Sequence, residues 1–322
     1  MNPGFADRLS ELIEKRNSSV VVGLDPDIDL LPHYLTDRLA NISGADWFPA
    51  AANLVFDFGR QIVDAIFDVV PALKPQVAFY EALGPPGLIA LQRTIDYARQ
   101  KGLIVICDAK RNDIESTAVA YAESYLGPIG PHASRDCPFN VDALTVNPYL
   151  GSDGVLPFVQ AAAATGKGIF VVVRTSNPSA AEFQDLPVLS NTGNTEPLCH
   201  IVAKKVQEWG AALTEGSRYS AVGAVVGATA PREAVALRRL MPSAFLLVPG
   251  VGAQGGDTNQ LSVFFDERGS GALVSASRSL IFAYRQVPAR EEAFQDMARA
   301  ATIKLSATVN RARSDAAEKD RS

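Results

Sequence analysis

The sequence predicts a one-domain α/β protein of the (β/α)₈ barrel class, and three observations carry that prediction. Eight short apolar runs alternate strictly with amphipathic helical segments, the pattern of a parallel sheet with crossover helices. The length, 322 residues, suits one such barrel with some insertions. The apolar runs also end in polar or charged residues, as strands do when their carboxyl ends ring an active site. A doubly wound open sheet is the alternative. Against it, Gly23-Leu-Asp25-Pro26 after the first run is not a dinucleotide fingerprint.

The elements follow in order. Residues 5 to 16 place Phe5, Leu9 and Leu12-Ile13 on one helical stripe. Val20-Val-Val-Gly23-Leu reads as the first buried strand, and about 27 to 47 as an irregular excursion rich in Pro, Asp and Gly. Leu54, Phe58, Ile62, Ala65-Ile66 and Val69 recur at helical steps. The second strand, residues 72 to 79, is interrupted by Lys74 and Pro75; Pro85-Pro86 then opens a helix. Leu103-Ile-Val-Ile-Cys107 is the third strand, and a helix is expected from near Ile114 to about Leu126. Gly127 to Asn140 reads as a proline-rich loop, Val141 to Pro148 as the fourth strand and about 154 to 164 as its helix.

Gly168 to Val173 is the fifth strand. Roughly twenty mostly polar residues then precede a helix opened by Pro197, and a loop of that length is often a lid or binding loop. Residues 221 to 229, 244 to 248 and 271 to 276 complete the eight. A final helix is expected from about Glu291 to Val309. The barrel domain is therefore assigned to residues 1–310, and the charged tail 311–322 is expected to be disordered.

Composition narrows the function. With 47% hydrophobic and 20% charged residues the chain reads as an ordinary soluble globular protein. A formal net charge of −5 offers no field favouring nucleic acid or an acidic membrane surface, so neither is expected as a partner. No secretory signal and no apolar run of membrane-spanning length are evident. Three widely spaced cysteines, Cys107, Cys137 and Cys199, form neither a CxxC pair nor a ligand cluster, which suits a reducing cytoplasm without a zinc site.

The chemistry concentrates in Cys107-Asp108-Ala-Lys110-Arg-Asn-Asp113. Side chains alternate faces along a strand, so Asp108 and Lys110 project to the same side of a buried strand's carboxyl end. Buried ions are costly unless paired, so an acid and an amine leaving together call for a reason. The other strand ends contribute Asp25, Lys74, Asn147, Ser176, Gln254 and Arg278. Singly each has a bland reading, such as a turn aspartate or a surface lysine. Jointly they fall on one rim. The Gly-rich stretch Pro249 to Asp257 and the turn Ser277-Arg278-Ser279 together form the usual barrel phosphate site.

These blocks carry a family resemblance. Asp108-x-Lys110-x-x-Asp113-Ile114-x-x-Thr117 resembles the signature of the orotidine 5′-phosphate decarboxylases, and Asp-Ala-Lys-Arg-x-Asp-Ile-x-Ser-Thr-Ala their longer bacterial (type 2) subfamily in particular. Gly23-Leu-Asp25-Pro, Lys74-Pro-Gln-Val-Ala-Phe-Tyr-Glu, Arg174-Thr-Ser176-Asn-Pro, Pro249-Gly-Val-Gly-Ala-Gln254 and Ser277-Arg278-Ser match in order. The resemblance implies conversion of orotidine 5′-phosphate to UMP and CO₂ in pyrimidine biosynthesis, with no metal or organic cofactor. It implies a catalytic set of Lys74, Asp108, Lys110 and Asp113, with Lys110 as proton donor. It also implies substrate contacts from Asp25, Thr117, Ser176, Gln254 and Arg278, and a homodimer in which Asp113 and Thr117 complete the partner's site.

Three rivals stand beside this reading. Mg²⁺-dependent sugar-phosphate decarboxylases or synthases of the same barrel family resemble the third strand, but place a metal-binding carboxylate where this chain has Lys74. A Schiff-base aldolase would use Lys110 as a neutral amine, which the flanking charges oppose. A catalytically inactive nucleotide-phosphate sensor would be expected to have lost one of the four charges, and all four are present.

Overall fold

The computed structural model describes residues 4–128, 136–189, 193–214, 216–251 and 256–319. Helix α1 (Phe5–Arg16) leads into β1 (Val20–Leu24). The excursion after it holds three 3₁₀ turns and the one-turn helix α2 (His33–Thr36), with Leu31 and Leu35 drawn into the core. Then come α3 (Trp47–Ile66), β2 (Ala72–Pro75), α4 (Val77–Glu81), α5 (Gly84–Gln100), β3 (Ile104–Arg111), α6 (Glu115–Leu126), β4 (Ala143–Val146), α7 (Ser152–Thr165) and β5 (Gly168–Arg174). A small antiparallel hairpin, β6 (Pro187–Leu189) and β7 (Thr195–Pro197), precedes α8 (Leu198–Gly210). The chain continues through β8 (Ser220–Val226), α9 (Pro231–Leu240), β9 (Ala244–Pro249), β10 (Ala272–Ala276), α10 (Arg278–Ile281) and α11 (Phe294–Lys319).

Eight strands close into a parallel barrel in the order β1-β10-β9-β8-β5-β4-β3-β2, so the predicted barrel is the observed one. The twofold alternation of strand side chains sorts the core into two bodies. Val20, Val22, Leu73, Val105, Cys107 and Leu144 point outward against the helices. Val21, Ala72, Ile104, Ile106, Ala143, Phe170, Phe245, Leu247 and Leu273 fill the interior. The amphipathic stripe of α1 closes the amino-terminal mouth: Phe5, Leu9 and Ile13 join the interior cluster, and the Phe5 ring meets Phe170 edge-on at 6.0 Å. The barrel is therefore plugged from below, and only its carboxyl end is open to ligands.

Three expectations need correction. The second strand stops at Pro75, which has no N–H for the ladder, and Val77–Glu81 turn into a helix. The long polar segment after the fifth strand is not structureless: it holds a 3₁₀ turn, Pro178–Glu182, and the β6–β7 hairpin. The tail expected to be disordered from 311 continues α11 to Lys319. Val309, Ala312 and Ala316 keep a three- and four-residue apolar spacing and are buried, and Arg313 Nε donates to Gly269 O at 2.9 Å. Small alanines among charges hide such a stripe from a hydropathy reading. Among the described residues no helix is long and apolar enough to cross a membrane.

Candidate active site

The inward positions of the strands are apolar below and turn polar near the carboxyl ends. Ala72 is followed two residues on by Lys74, Ile104 and Ile106 by Asp108, Ala143 by Thr145, and Leu273 by Ser275. Together with Asp25, Gln76, Lys110, Thr175, Ser176, Asn177 and Arg278 they line a cavity of about 290 Å³ over the apolar floor. The same periodicity that fills the barrel thus aims the charges into one hole.

Asp108 is the hub. Lys74 Nζ donates to Asp108 Oδ2 at 2.7 Å, Lys110 Nζ to Oδ1 at 2.6 Å, and Thr145 Oγ1 to Oδ1 at 3.0 Å. Burial alone would push the Asp108 carboxyl up, but the two ammonium groups outweigh it and hold it well below the usual carboxylate range. For Lys74, fully enclosed, burial pulls downward; the facing carboxylates of Asp108 and Asp25 win, and it stays above the ordinary lysine value. Both groups are therefore ionised at neutral pH because each keeps the other so.

The backbone that presents Lys110 is distorted. The β3–β4 register shifts between Cys107 and Arg111, and Lys110 adopts φ 49°, a left-handed conformation uncommon for a residue with a Cβ. Thr145 holds this bulge from the neighbouring strand: its Oγ1 accepts from both Ala109 N, at 3.0 Å, and Lys110 N, at 2.9 Å. The Lys110 side chain remains 47% exposed, so its ammonium faces the cavity while anchored at one end.

Asp25, at the end of β1, lines the cavity with Oδ1 buried and without a hydrogen-bond partner among the described residues. A buried carboxylate oxygen with no donor suits a ligand hydroxyl. Ser176 sits in the loop after β5, which is tied back on itself. Arg174 Nε and Nη2 form a fork on Asp185 at 2.8 and 3.0 Å, and Thr175 N donates to Gln184 Oε1 at 2.7 Å. From the other side Gly227 approaches so closely that a Cβ there would stand 2.7 Å from Ser176 N. The guanidinium of Arg278 is exposed at the rim and has no ion-pair partner among the described residues. Because α10 has only four residues, its dipole would support an anion there only weakly, and Arg278 is the cationic side chain at that rim. The loop opposite is pinched at its base by Gly256 N donating to Gly250 O at 3.1 Å; Gln254 lies outside the described residues.

Not every predicted residue joins this cavity. Asp113 accepts from the adjacent Ile114 N at 2.8 Å, Thr117 is exposed on α6, and neither lines the cavity of its own chain. Asn147 turns to its own loop, accepting from Tyr149 N at 3.0 Å. Sequence reasoning missed Thr145, Gln76 and Asn177. Thr145 was findable, since a lone hydroxyl at an inward position of an apolar strand requires a partner.

Known proteins resemble this chain over most of its length. The sequence model described as orotidine 5′-phosphate decarboxylase / HUMPS family matches residues 20–293. Orotidine 5′-phosphate decarboxylase of Rhodopirellula baltica is 44% identical over 94% of this chain and 97% of its own length. The protein of the same name from Caldicellulosiruptor saccharolyticus is 41% identical over 87% of this chain and 90% of its own. Among solved structures, OMP decarboxylase of Leishmania donovani superimposes with a TM-score of 0.71 at 29% identity, covering 96% of this chain and 99% of that one. With a match across most of its length and relatives well above 30% identity, the chain belongs to the orotidine 5′-phosphate decarboxylase / HUMPS family.

Proposed function

We propose that the chain is an orotidine 5′-phosphate decarboxylase that forms UMP and CO₂ in pyrimidine biosynthesis, with the Lys74–Asp108–Lys110 network as its reaction centre. The observation that carries the reading is the pair of ammonium groups on one buried carboxylate, over an apolar floor that excludes water. Asp108 stands beside the substrate carboxylate and disfavours it before reaction. Lys110 stabilises the carbanion left when CO₂ departs and donates the proton that replaces it. Charge fixed in advance where negative charge develops is usually the largest catalytic contribution. Asp25 and Lys74 take the ribose hydroxyls, Ser176 the pyrimidine amide edge, and Arg278 with Gln254 the phosphate. Binding energy from the remote phosphate then serves to close the loops.

The functional unit is a homodimer in which Asp113 and Thr117 reach the partner's cavity. Supporting this, both lie off their own cavity beside exposed apolar side chains: Ile114 is 46% exposed, Tyr149 80% and Leu150 49%. A cluster of that kind marks an interaction surface. No metal or organic cofactor enters the proposed chemistry, nucleic acid and membranes are not partners, and the enzyme works in the cytoplasm.

The Mg²⁺-dependent reading is weaker because Lys74 Nζ already occupies Asp108 Oδ2, where a divalent ion would need an oxygen free of a cation. The test is the fall in orotidine 5′-phosphate absorbance on adding purified protein, with EDTA and with Mg²⁺ restored. Turnover that needs no Mg²⁺ is expected. No turnover at all would remove the decarboxylase reading, and a strict Mg²⁺ requirement would favour the rival.

A further inference from the structure

Outside the charged cavity, one cluster of chemically capable side chains among the described residues has no part in the proposed reaction. Cys199 and His200 are consecutive in the first turn of α8, and Glu233 stands in the first turn of the neighbouring α9. We propose that these three residues form a seat for a zinc-class transition-metal ion that staples α8 to α9 on the outer wall of the barrel.

The donor geometry comes first. One ligand atom from each residue lies within 4.8 Å of the other two. His200 Nε2 and Glu233 Oε2 are 3.2 Å apart, close to the roughly 3.3 Å edge of a tetrahedron whose metal bonds are about 2.0 Å. The Cys199 sulfur lies within 4.8 Å of both and has to draw in to complete the donor set. The donor set then selects the ion. A thiolate, an imidazole and a carboxylate suit Zn²⁺ and its neighbours, whereas Mg²⁺ and Ca²⁺ favour oxygen donors alone. Three protein ligands leave a fourth position for water.

The scaffold is firm where the ligands attach. Leu198 N donates to Leu186 O and Cys199 N to Gln184 O, both at 2.9 Å, so the start of α8 is tied to the segment that follows the Ser176 loop. Binding replaces the S–H bond by an S–metal bond and releases one proton to solvent, with no change of oxidation state. Cys199 is fully buried and borders a second cavity of about 540 Å³ with Phe183, Gln184 and Val202. None of the three ligands lines the charged cavity, so the seat is separate from the reaction centre.

The competing explanation is a half-exposed His200–Glu233 contact of little energetic weight beside an inert buried cysteine. Cobalt separates the two. Full-length protein stripped with a chelator is titrated with Co²⁺, whose thiolate bond gives an intense near-ultraviolet charge-transfer absorption. The seat predicts one equivalent per chain with that absorption, and its displacement by Zn²⁺. Cys199→Ala should abolish the band, and Cys137→Ala should leave it intact. Glu233→Gln, at a side chain 38% exposed and therefore sparing the fold, should weaken Co²⁺ binding at least about tenfold. A wild-type protein without the band, a band that survives Cys199→Ala, or Co²⁺ binding unchanged in Glu233→Gln would each overturn the proposal.

Discussion

Lys110→Ala is the most informative single change, because structure and chemistry predict opposite sizes of effect. The Lys110 side chain is 47% exposed, and after its removal Asp108 keeps Lys74 at 2.7 Å and Thr145 at 3.0 Å. The lost contact is a partly solvated ion pair, so the stability cost is about 1 kcal/mol. Its effect on the reaction is far larger. Loss of a positioned proton donor lowers the rate by about 10²–10⁴-fold, and loss of preorganised charge costs about 10²–10³-fold more. Decarboxylation should therefore fall by about 10⁴-fold or more while the protein stays folded.

Two assays read this out: kcat from the fall in orotidine 5′-phosphate absorbance, and UMP affinity by calorimetry. UMP has no carboxylate at the reacting carbon, so its binding should change by less than about tenfold, under 1.4 kcal/mol. Turnover within tenfold of wild type would refute the assignment of Lys110. Turnover lost in step with UMP affinity would make Lys110 an anchor rather than the proton donor. Lys110→Gly supplies an internal check. Position 110 has φ 49°, which a Cβ disfavours by about 1–2 kcal/mol, so the glycine variant should be the more stable of the two and equally inactive.

Three further outcomes are expected. Mixing Lys110→Ala dimers with Asp113→Ala dimers should restore part of the activity, since one of the two sites in a hybrid then has both residues intact; no recovery despite proven subunit exchange would count against the shared site. Gly227→Ala puts a methyl group 2.7 Å from Ser176 N and should raise KM about tenfold, the worth of one displaced hydrogen bond, whereas an unchanged KM would show that Gly227 does not position Ser176. Lys167 is buried on Asn140 Oδ1 at 2.7 Å, and burial pulls it to about 8. That lies below its unfolded value of about 10.4, so the native state carries the full cost of the buried ion below about pH 8 and loses that cost as pH rises towards about 10.4. Lys167→Met should accordingly raise Tm at about pH 7, by on the order of 1–2 kcal/mol of stability, with the gain fading above about pH 10. A lower Tm at neutral pH would refute this account.

How much of this was legible in the sequence depended on whether the signal was local. The barrel was legible because each strand is a separate short apolar run and each helix a separate stripe. The inward aim of Lys74 and Asp108 was legible because period two continues unbroken from Ala72 and Ile104. Lys110 was harder. Strict alternation brings it to the right face, yet the strand bulges there, and the partner that stabilises the bulge is Thr145, 35 residues away on the next strand. The β6–β7 hairpin escaped notice because three-residue strands with exposed side chains carry almost no periodicity. Cys199, His200 and Glu233 were invisible as a group, since a spacing rule cannot see two helices meeting on the far wall of a barrel.

The bulge also explains why the charges need one another. Three ionised groups packed over an apolar floor are a poor source of stability, and well-packed apolar residues of the same volume would often do as well or better. A left-handed lysine adds a further penalty. What compensates is mutual: Asp108 is kept ionised by Lys74 and Lys110, Lys74 by Asp108 and Asp25, and the bulge by the Thr145 hydroxyl that also donates to Asp108. Removing one support weakens the others, so the network behaves as a unit with little freedom to rearrange. Such a centre is set before any ligand arrives, so in the proposed reaction no dipoles would have to turn while negative charge builds on the pyrimidine ring. The same logic bears on Lys74. A carboxylate there would leave Asp108 facing a like charge, and that pair would call for a divalent cation to hold it. A single lysine on β2 therefore turns an acidic, metal-seeking rim into a self-neutralised one.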